Sequence, residues 1–285
     1  MTIHEASLQL RFQLFHLYDE REAGNIAELV LEHITGWKKI DRVMNKAVPL
    51  SAVQLQLLES FTKQLLDYKP VQYVLHEAWF YGMKLFVDEN VLIPRPETEE
   101  LVDWLIKDAE NGVLPGKKSV LDIGTGSGCI PLAIKRKLPS TEVYSCDVSE
   151  GSLAVAKKNA AEQQLNIDFK QLDILSETSR SQLPIFDIII SNPPYIPEQD
   201  KHSMAANVLE YEPHLALFVE ENNPLLFYIA IADFAQMHLT KNGCIYLEIH
   251  ENMGDAVKEL YKQKGFTNIE LRKDLQERDR MIRIG

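Results

Sequence analysis

Asn192, Pro193, Pro194 and Tyr195 directly follow the apolar run 186–191, which predicts a buried strand. Ligands of open α/β sheets bind just beyond the carboxyl ends of the strands, so a reactive loop is expected here. The two prolines fix φ and remove two backbone donors, which predicts a stiff turn rich in acceptors. The Asn192 side-chain carbonyl and the Pro193 carbonyl could together hold a planar NH2 group. A plain turn that closes a strand explains the same residues, and both interpretations stay open at this point.

A glycine-rich loop, Gly124-Thr125-Gly126-Ser127-Gly128, lies between a predicted strand over 120–123 and a helical segment over 129–134. The three glycines allow positive φ and remove the β-carbons that would block a ligand. A dinucleotide fingerprint needs the spacing Gly-x-Gly-x-x-Gly, whereas this loop is Gly-x-Gly-x-Gly. The spacing therefore argues against NAD and favours another small molecule that approaches the backbone closely.

Carboxylates end the next two predicted strands. Asp147 is placed to accept hydrogen bonds from both hydroxyls of a ribose, although it could also cap the following helix. Asp173 and Ile174 could meet an adenine amino group and an apolar face of the base. These positions predict a site for a nucleoside.

The elements that must position these residues alternate between strand and helix from residue 119 onward. Such alternation predicts an α/β fold with a doubly wound, mostly parallel sheet. The tail differs, because two strand-like segments are joined by a charged loop without a helix, which predicts an antiparallel pair at the sheet edge. The predicted strands are 120–123, 143–146, 167–171, 185–191, 245–249, 266–271 and 280–284.

The residues before this region predict a separate organisation. Residues 1–70 carry apolar residues three or four apart, which is typical of a bundle of amphipathic helices, and Ser51 with Gln54 fits a capping box. Residues 71–95 are aromatic-rich with turn signals and predict a β-hairpin linker. Residues 96–285 form the predicted α/β domain.

Composition limits the possible functions. The chain has 285 residues, of which 45% are hydrophobic and 25% charged, with a net charge of -12. No basic run resembles a groove that follows phosphates, so direct nucleic-acid binding is not expected. Neither a membrane span nor metal-ligand spacing of cysteines or histidines is found in the sequence, and a cytoplasmic address is expected by default.

These motifs, in this order, resemble the class I methyltransferases that use S-adenosylmethionine and, more narrowly, the HemK/PrmC family of protein-glutamine methyltransferases. The resemblance covers nearly the whole chain. It depends on the two loops above together with Tyr81-Gly82, the segment 91–99 and Tyr211-Glu212-Pro213. The fold that it implies is Rossmann-like, with a helical substrate-recognition domain at the N-terminus.

The resemblance implies a methyl transfer to the glutamine amide in the Gly-Gly-Gln motif of peptide chain release factors. It implies that residues 124–128 line the methionine part of S-adenosylmethionine, with the ribose at Asp147 and the adenine at Asp173 and Ile174. Residues 192–195 would hold the glutamine, with the Tyr195 ring packed against its flat amide, and Asn192 would also border the cofactor. A monomer would suffice for this activity.

Two other functions are compatible with the residues. An adenine-amino methyltransferase could use the same tetrapeptide to grip the exocyclic NH2 of a flipped base, although the acidic charge balance argues against it. An inactive adaptor that binds S-adenosylmethionine would keep the fold without the reaction, although the intact loops argue against it. Arg95 and Glu97 are expected to serve in a salt bridge or a helix cap at least as readily as in substrate contact.

Overall fold

The computed structural model describes residues 1–114, 116, 119–220 and 222–285. The chain divides into two compact units, which are described separately. Unit 1 comprises residues 1–77 and 205–211, and unit 2 comprises residues 78–204 and 212–285. Among the described residues, no helix is both long and apolar enough to span a bilayer.

The α-helices are α1 Ile3–Leu14, α2 Glu20–Thr35, α3 Lys39–Met44, α4 Ala52–Leu66, α5 Val71–Leu75, α6 Pro96–Glu110, α7 Cys129–Lys137, α8 Glu150–Gln163, α9 Glu177–Arg180, α10 Ala206–Tyr211, α11 His214–Leu217, α12 Leu226–His238 and α13 Gly254–Gln263. A 3-10 helix covers Glu198–Ser203. The strands are β1 Ala78–Phe80, β2 Met83–Leu85, β3 Ser119–Ile123, β4 Glu142–Asp147, β5 Asp168–Gln171, β6 Phe186–Ser191, β7 Ile196–Pro197, β8 Phe218–Val219, β9 Leu239–Glu248, β10 Ile269–Lys273 and β11 Asp279–Ile284.

Unit 1 is the predicted helical bundle. It also includes α10, which comes from a later part of the chain. Its core is formed by aliphatic side chains from α1, α2, α4 and α5. The predicted capping box is present, because the Gln54 N–H donates to Ser51 Oγ at 3.3 Å and the Ser51 N–H donates to Gln54 Oε1 at 2.9 Å. Helix α2 has its own end signals, Asp19 at the N-cap and Gly36 in the left-handed conformation at the C-cap.

Unit 2 is built around a seven-stranded sheet in the order β10-β11-β9-β6-β3-β4-β5. Strands β9, β6, β3, β4 and β5 are parallel, whereas β11 runs antiparallel to β9 and β10 antiparallel to β11. The predicted α/β class and the antiparallel edge pair are therefore confirmed. The central strands are buried on both faces, because one apolar cluster lies on each side of the sheet.

The strand order reverses between β3 and β6. From β3 the chain proceeds outward through β4 to β5, and it then returns to place β6 on the other side of β3. The loops that leave β3 and β6 therefore diverge and open a crevice at the carboxyl edge of the sheet. The two loops singled out in the sequence, 124–128 and 192–195, follow these two strands.

The hairpin is shorter than the range 71–95 predicted for it. Residues Val71–Leu75 form α5, and β1 pairs antiparallel with β2 over three residues each. The apolar residues at 71, 73, 74 and 75 are all buried, which a short helix after Pro70 achieves and an alternating strand does not. The domain boundaries at 70 and 95 stay a prediction.

Candidate active site

An open pocket lies at the carboxyl edge of the parallel strands in unit 2. Its volume is about 1100 Å³, including space continuous with solvent, and most of its lining is apolar. The walls come from the segment before α6, the loops after β3, β4, β5 and β6, and the start of α11. Nearly all of the predicted site residues border this one pocket: Gly124, Thr125, Gly126, Ser127, Asp147, Asp173, Ile174, Asn192, Pro193 and Pro194.

Two predicted residues, Gly128 and Tyr195, do not line it. Gly128 has a φ of +81° and is the N-cap of α7. A β-carbon at this position would lie 3.2 Å from the Ala156 β-carbon on α8. The small size of Gly128 therefore serves the packing of α7 against α8, and its contact with a ligand stays a prediction.

The first two glycines of the loop differ from Gly128 in what surrounds them. Gly124 and Gly126 have φ values of +79° and +51°, and a β-carbon on either would find no atom within 4 Å. These two glycines therefore open onto free space, as a cradle for a ligand requires.

Asp147 connects this cradle to the end of β4. Its Oδ2 accepts from the Gly126 N–H at 3.0 Å, and its Oδ1 accepts from the Ser149 N–H at 2.9 Å. Burial raises the pKa of Asp147, and the hydrogen bonds from Gly126 and Ser149 oppose this rise. Each oxygen keeps a second lone pair, so the carboxylate can still accept from ligand hydroxyls.

The adenine-side residues Asp173 and Ile174 lie one strand farther along the sheet. The Leu175 N–H donates to Asp173 Oδ1 at 2.9 Å, which holds the carboxylate in a tight turn. Ile174 is buried but still contributes to the pocket lining. The pair therefore presents a carboxylate and an apolar surface side by side.

Asn192 lies at the end of β6 with its amide held from one side. Its Nδ2 donates to Thr98 Oγ1 on α6 at 3.0 Å. Within the described part of the chain, Thr98 is the hydrogen-bond partner of this side chain, which leaves Oδ1 available, and the Pro193 carbonyl also receives no hydrogen bond there. Two free acceptors therefore lie on consecutive residues that border the pocket.

Tyr195 takes a different position from the one expected. Its hydroxyl donates to Glu248 Oε1 at 3.1 Å, and its ring stands edge-on to the His250 ring with centroids 5.9 Å apart. Its ring packs against the buried cluster on one face of the sheet. These contacts do not indicate the expected packing of the Tyr195 ring against a flat amide in the pocket. The Tyr195 side chain instead anchors the loop 192–195 to the core of unit 2.

Glu248 is a fully buried carboxylate that none of the sequence motifs indicates. It ends β9 and accepts from Thr98 Oγ1 at 2.7 Å as well as from Tyr195. Burial raises the pKa of Glu248 to about 7 against the opposing effects of Thr98, Tyr195 and Arg280. A lone acid near the carboxyl end of the otherwise apolar predicted strand 245–249 was the signal that could have found it.

Comparison with known proteins identifies the family. Residues 8–75 match the PrmC N-terminal domain model, and residues 101–215 match the methyltransferase small domain model. The release factor glutamine methyltransferase of Flavobacterium psychrophilum is 43% identical over 100% of this chain and 99% of its own length. This chain belongs to the PrmC family of release factor glutamine methyltransferases.

Other members of the family show similar coverage. The release factor glutamine methyltransferase of Bacteroides thetaiotaomicron is 37% identical over 96% of both chains. The one from Bacillus anthracis is 33% identical over 99% of this chain and 98% of its own. The resemblance drawn from the motifs is therefore confirmed along the whole chain.

Solved structures of more distant proteins share the fold. The hMettl16 catalytic domain has a TM-score of 0.54 and 16% identity, over 85% of this chain and 84% of that chain. The delta-N METTL16 methyltransferase domain has a TM-score of 0.51 and 18% identity, over 72% and 88%. These similarities confirm the class I methyltransferase architecture alone.

The pocket fits the adenosyl cofactor of such a methyltransferase. The Thr125 and Ser127 hydroxyls in the glycine loop are buried beside Asp122 and Cys129, respectively, but neither makes a hydrogen bond of normal geometry among the described residues. Buried polar atoms without partners are rare in proteins, and a polar ligand would supply the missing partners. With the open cradle at Gly124 and Gly126, the residues present are compatible with a nucleoside that carries an amino-acid tail.

An ion pair joins two segments of the pocket wall in this family member. Arg95 Nη2 donates to Glu212 Oε1 at 2.6 Å, and the Ile93 N–H donates to Glu212 Oε2 at 3.3 Å. The Glu212 side chain is 1% exposed, so the pair is shielded on that side. The salt-bridge interpretation of Arg95 is confirmed, and the pair holds the segment before α6 against the segment before α11.

Proposed function

We propose that this protein transfers a methyl group from S-adenosylmethionine to the side-chain amide nitrogen of the glutamine in the Gly-Gly-Gln motif of class I peptide chain release factors. The observation that carries the proposal is the pair of free acceptors, Asn192 Oδ1 and the Pro193 carbonyl, on the wall of the pocket that also contains the glycine cradle. The names of its relatives support the same substrate.

Two acceptors suit a carboxamide substrate. An unmodified glutamine amide has two N–H donors, and Asn192 Oδ1 and the Pro193 carbonyl can each accept one of them. Both bonds fix the plane and the direction of the nitrogen. They also favour the positive charge that develops on this nitrogen as it is methylated.

S-adenosylmethionine supplies an activated methyl group on a sulfonium when it is bound. In the proposed transfer the S–C bond would break as the new N–C bond forms, so the positive charge would pass from sulfur to the amide nitrogen, which would then release a proton to water. In-line placement can lower such a barrier by about 7–11 kcal/mol. Alignment therefore suffices, and no strong general base has to be assigned.

The residues around the cofactor have separate roles in this proposal. Asp147 would accept from the ribose hydroxyls, and Asp173 with Ile174 would contact the adenine. Thr125 and Ser127, which border the pocket, would offer their hydroxyls to the cofactor tail. A monomer as the working form is part of the proposal, and a release factor substrate supports a cytoplasmic site of action.

The decisive experiment is methylation of a purified release factor with labelled S-adenosylmethionine, followed by mass spectrometry of the peptide that contains the motif. We expect one methyl group on the glutamine side chain, and none when this glutamine is replaced by alanine. A parallel arm with DNA and RNA tests the adenine-amino alternative. Labelling of nucleic acid without labelling of the release factor would overturn the proposal, as would binding of the cofactor with no transfer to either substrate.

A further inference from the structure

A buried hydrogen-bonded chain connects Asn192 to the carboxylate at the end of β9. Asn192 Nδ2 donates to Thr98 Oγ1 at 3.0 Å, and Thr98 Oγ1 donates to Glu248 Oε2 at 2.7 Å. Thr98 is 2% exposed and Glu248 is 1% exposed, so solvent does not replace these partners. The three residues come from α6, β9 and the loop after β6, and Thr98 and Asn192 border the pocket while Glu248 lies behind them.

The chemistry of the chain fixes its direction. An ionised carboxylate only accepts hydrogen bonds, so the single hydroxyl hydrogen of Thr98 must be donated to Glu248. The Thr98 oxygen is then restricted to accepting, and Asn192 must present its NH2 end to it. As a result, the amide oxygen of Asn192 faces away from Thr98 and stays free to accept.

We propose that Glu248 and Thr98 are positioning residues, which hold the Asn192 carboxamide in the single orientation that offers its oxygen to the substrate amide. The inference rests on the proposed carboxamide substrate and adds to it a reason for the orientation of the acceptor. An Asn192 side chain turned by half a rotation would present NH2 to NH2 and could not bind the substrate.

Protonation of Glu248 releases this constraint. A neutral carboxyl group can donate to Thr98, whose hydroxyl is then free to donate to Asn192 Oδ1 after the amide turns. The productive orientation is therefore tied to the ionised form. Because burial raises the pKa of Glu248 to about 7, the two forms exchange near neutral pH.

Other groups that face Glu248 come from four elements. Thr98 and Glu97 lie on α6, Tyr195 lies in the loop after β6, and the Tyr228 hydroxyl on α12 donates to the Glu248 backbone carbonyl at 3.3 Å. Arg280 on β11 lowers the pKa of Glu248 and Glu97 raises it. The Arg280 side chain also pairs with Asp274 at 3.2 Å.

The test compares Thr98→Val with Thr98→Ser, using the methylation assay on the release factor. Valine removes the hydroxyl at nearly constant volume, and Asn192 then turns its NH2 toward the open pocket, because a buried donor without a partner is unfavourable. We expect kcat to fall about tenfold, which corresponds to about 1.4 kcal/mol. The KM for release factor and the Kd for S-adenosylmethionine should stay within about threefold, and serine should restore kcat. Thr141→Val is the matched control, because Thr141 is a buried threonine of the same unit outside the pocket.

The pH profile separates a positioning role from a structural one. The wild type and Thr98→Ser should lose about tenfold in kcat/KM between pH 8 and pH 6, as ionised Glu248 disappears. This dependence should vanish in Thr98→Val and in Glu248→Gln, and it should persist in Glu251→Gln, a partly exposed carboxylate paired with Arg278. An unchanged kcat in Thr98→Val, or a persistent pH rise in Glu248→Gln, would overturn the inference.

The outcomes also separate this inference from the proposed function. A wild-type enzyme that methylates the glutamine while Thr98→Val does so equally well refutes the positioning role and leaves the function intact. A wild-type enzyme that never methylates the release factor refutes the function itself. If Thr98→Val does not fold, as judged by its melting curve and cofactor binding, the profiles of Glu248→Gln and Thr98→Ser decide.

Discussion

The backbone N–H of Gly126 donates to Asp147 Oδ2 at 3.0 Å, which joins the loop after β3 to the end of β4. Two segments that would each contact the cofactor are thereby fixed to one another before any ligand arrives. Such preorganisation reduces the ordering that binding would otherwise require. The same contact makes Asp147 both a ligand-binding candidate and a support for the glycine loop.

Replacement of Asp147 by alanine removes both roles. We expect the Kd for S-adenosylmethionine to rise about 10- to 100-fold, which corresponds to about 1.4–2.8 kcal/mol. Isothermal titration calorimetry measures this change directly. Asp168→Ala, on the exposed part of β5 beside Lys170, is the matched control and should bind as the wild type does. Unchanged affinity in Asp147→Ala would remove Asp147 from the site.

The glycines of the loop should respond differently to alanine. In Gly126→Ala the new methyl group enters the open cradle, so cofactor affinity should fall steeply while positive φ costs about 1 kcal/mol of stability. In Gly128→Ala the methyl group meets Ala156 at 3.2 Å, so the melting temperature should fall by more. Melting curves and calorimetry on both variants check the contrast, and equal behaviour of the two would contradict the assignment of Gly128 to packing.

Asn192→Ala should separate transfer from cofactor binding. Loss of a single preorganised hydrogen-bonding group at a reacting centre costs about 100- to 1000-fold in kcat. Asn192 borders the pocket and is proposed to bind the substrate amide rather than the cofactor. We therefore expect the Kd for S-adenosylmethionine to change by less than about fivefold. Single-turnover methylation and calorimetry give the two numbers. Equal losses in both would show that Asn192 acts mainly on the cofactor.

Tyr246→Phe tests how α6 is attached to the sheet. The Tyr246 hydroxyl donates to Asp108 Oδ2 at 2.7 Å, and Arg283 donates to the same oxygen at 2.5 Å. Loss of the hydroxyl leaves a buried carboxylate with one partner fewer, so the free energy of unfolding should fall by about 1–2 kcal/mol. Urea denaturation measures the change. Tyr144→Phe should change it by less than about 0.5 kcal/mol, because the Tyr144 hydroxyl has no hydrogen bond in the described part of the chain.

Asp122 predicts a pH dependence of stability. Burial raises the pKa of this fully buried carboxyl group from its ordinary 3.8 to about 7, despite the hydrogen bond from Ser145 Oγ at 2.7 Å. The folded state therefore prefers the protonated form, and the stability from this group is present below about pH 4 and is lost as pH rises through 7.

The Asp122→Asn variant isolates this effect. Between pH 5 and pH 8 the wild type should lose on the order of 1–3 kcal/mol more unfolding free energy than Asp122→Asn does. Urea denaturation at both pH values gives the two differences, with Asp168→Asn expected to follow the wild type. Parallel pH dependence in the wild type and Asp122→Asn would show that Asp122 stays ionised in the folded protein.

The sequence predicted the sheet and both loops well because their signals are local. Gly124 after one strand, and Asn192 with two prolines after another, predict where each strand ends and what kind of turn follows. The position of these loops at the carboxyl edge of the sheet then follows from the parallel topology. The residues that the sequence analysis missed, Thr98 and Glu248, act across the fold. Their hydrogen bond joins positions 150 residues apart, and no periodicity reveals such a pairing.

The positions of Tyr195 and Gly128 could not be predicted for a similar physical reason. Gly128 belongs to the glycine loop and Tyr195 to the loop after β6, and these motifs predict that both contact the ligand. Whether a motif residue faces the pocket or the core depends on the neighbours that fill the space beside it, here Glu248 and His250 for Tyr195 and Ala156 for Gly128. The helix at 71–75 was missed because short apolar runs fit either a strand or a helix.

The long sequence separations within the pocket wall have a consequence for synthesis on the ribosome. Glu212 reaches back 117 residues to Arg95, and Glu248 reaches back 150 residues to Thr98. A nascent chain whose β9 has not yet left the ribosome therefore lacks an inner strand of the seven-stranded sheet as well as the acid that would orient Asn192. Truncated polypeptides that end before residue 248 should consequently be unable to methylate their target even where the glycine loop is already present.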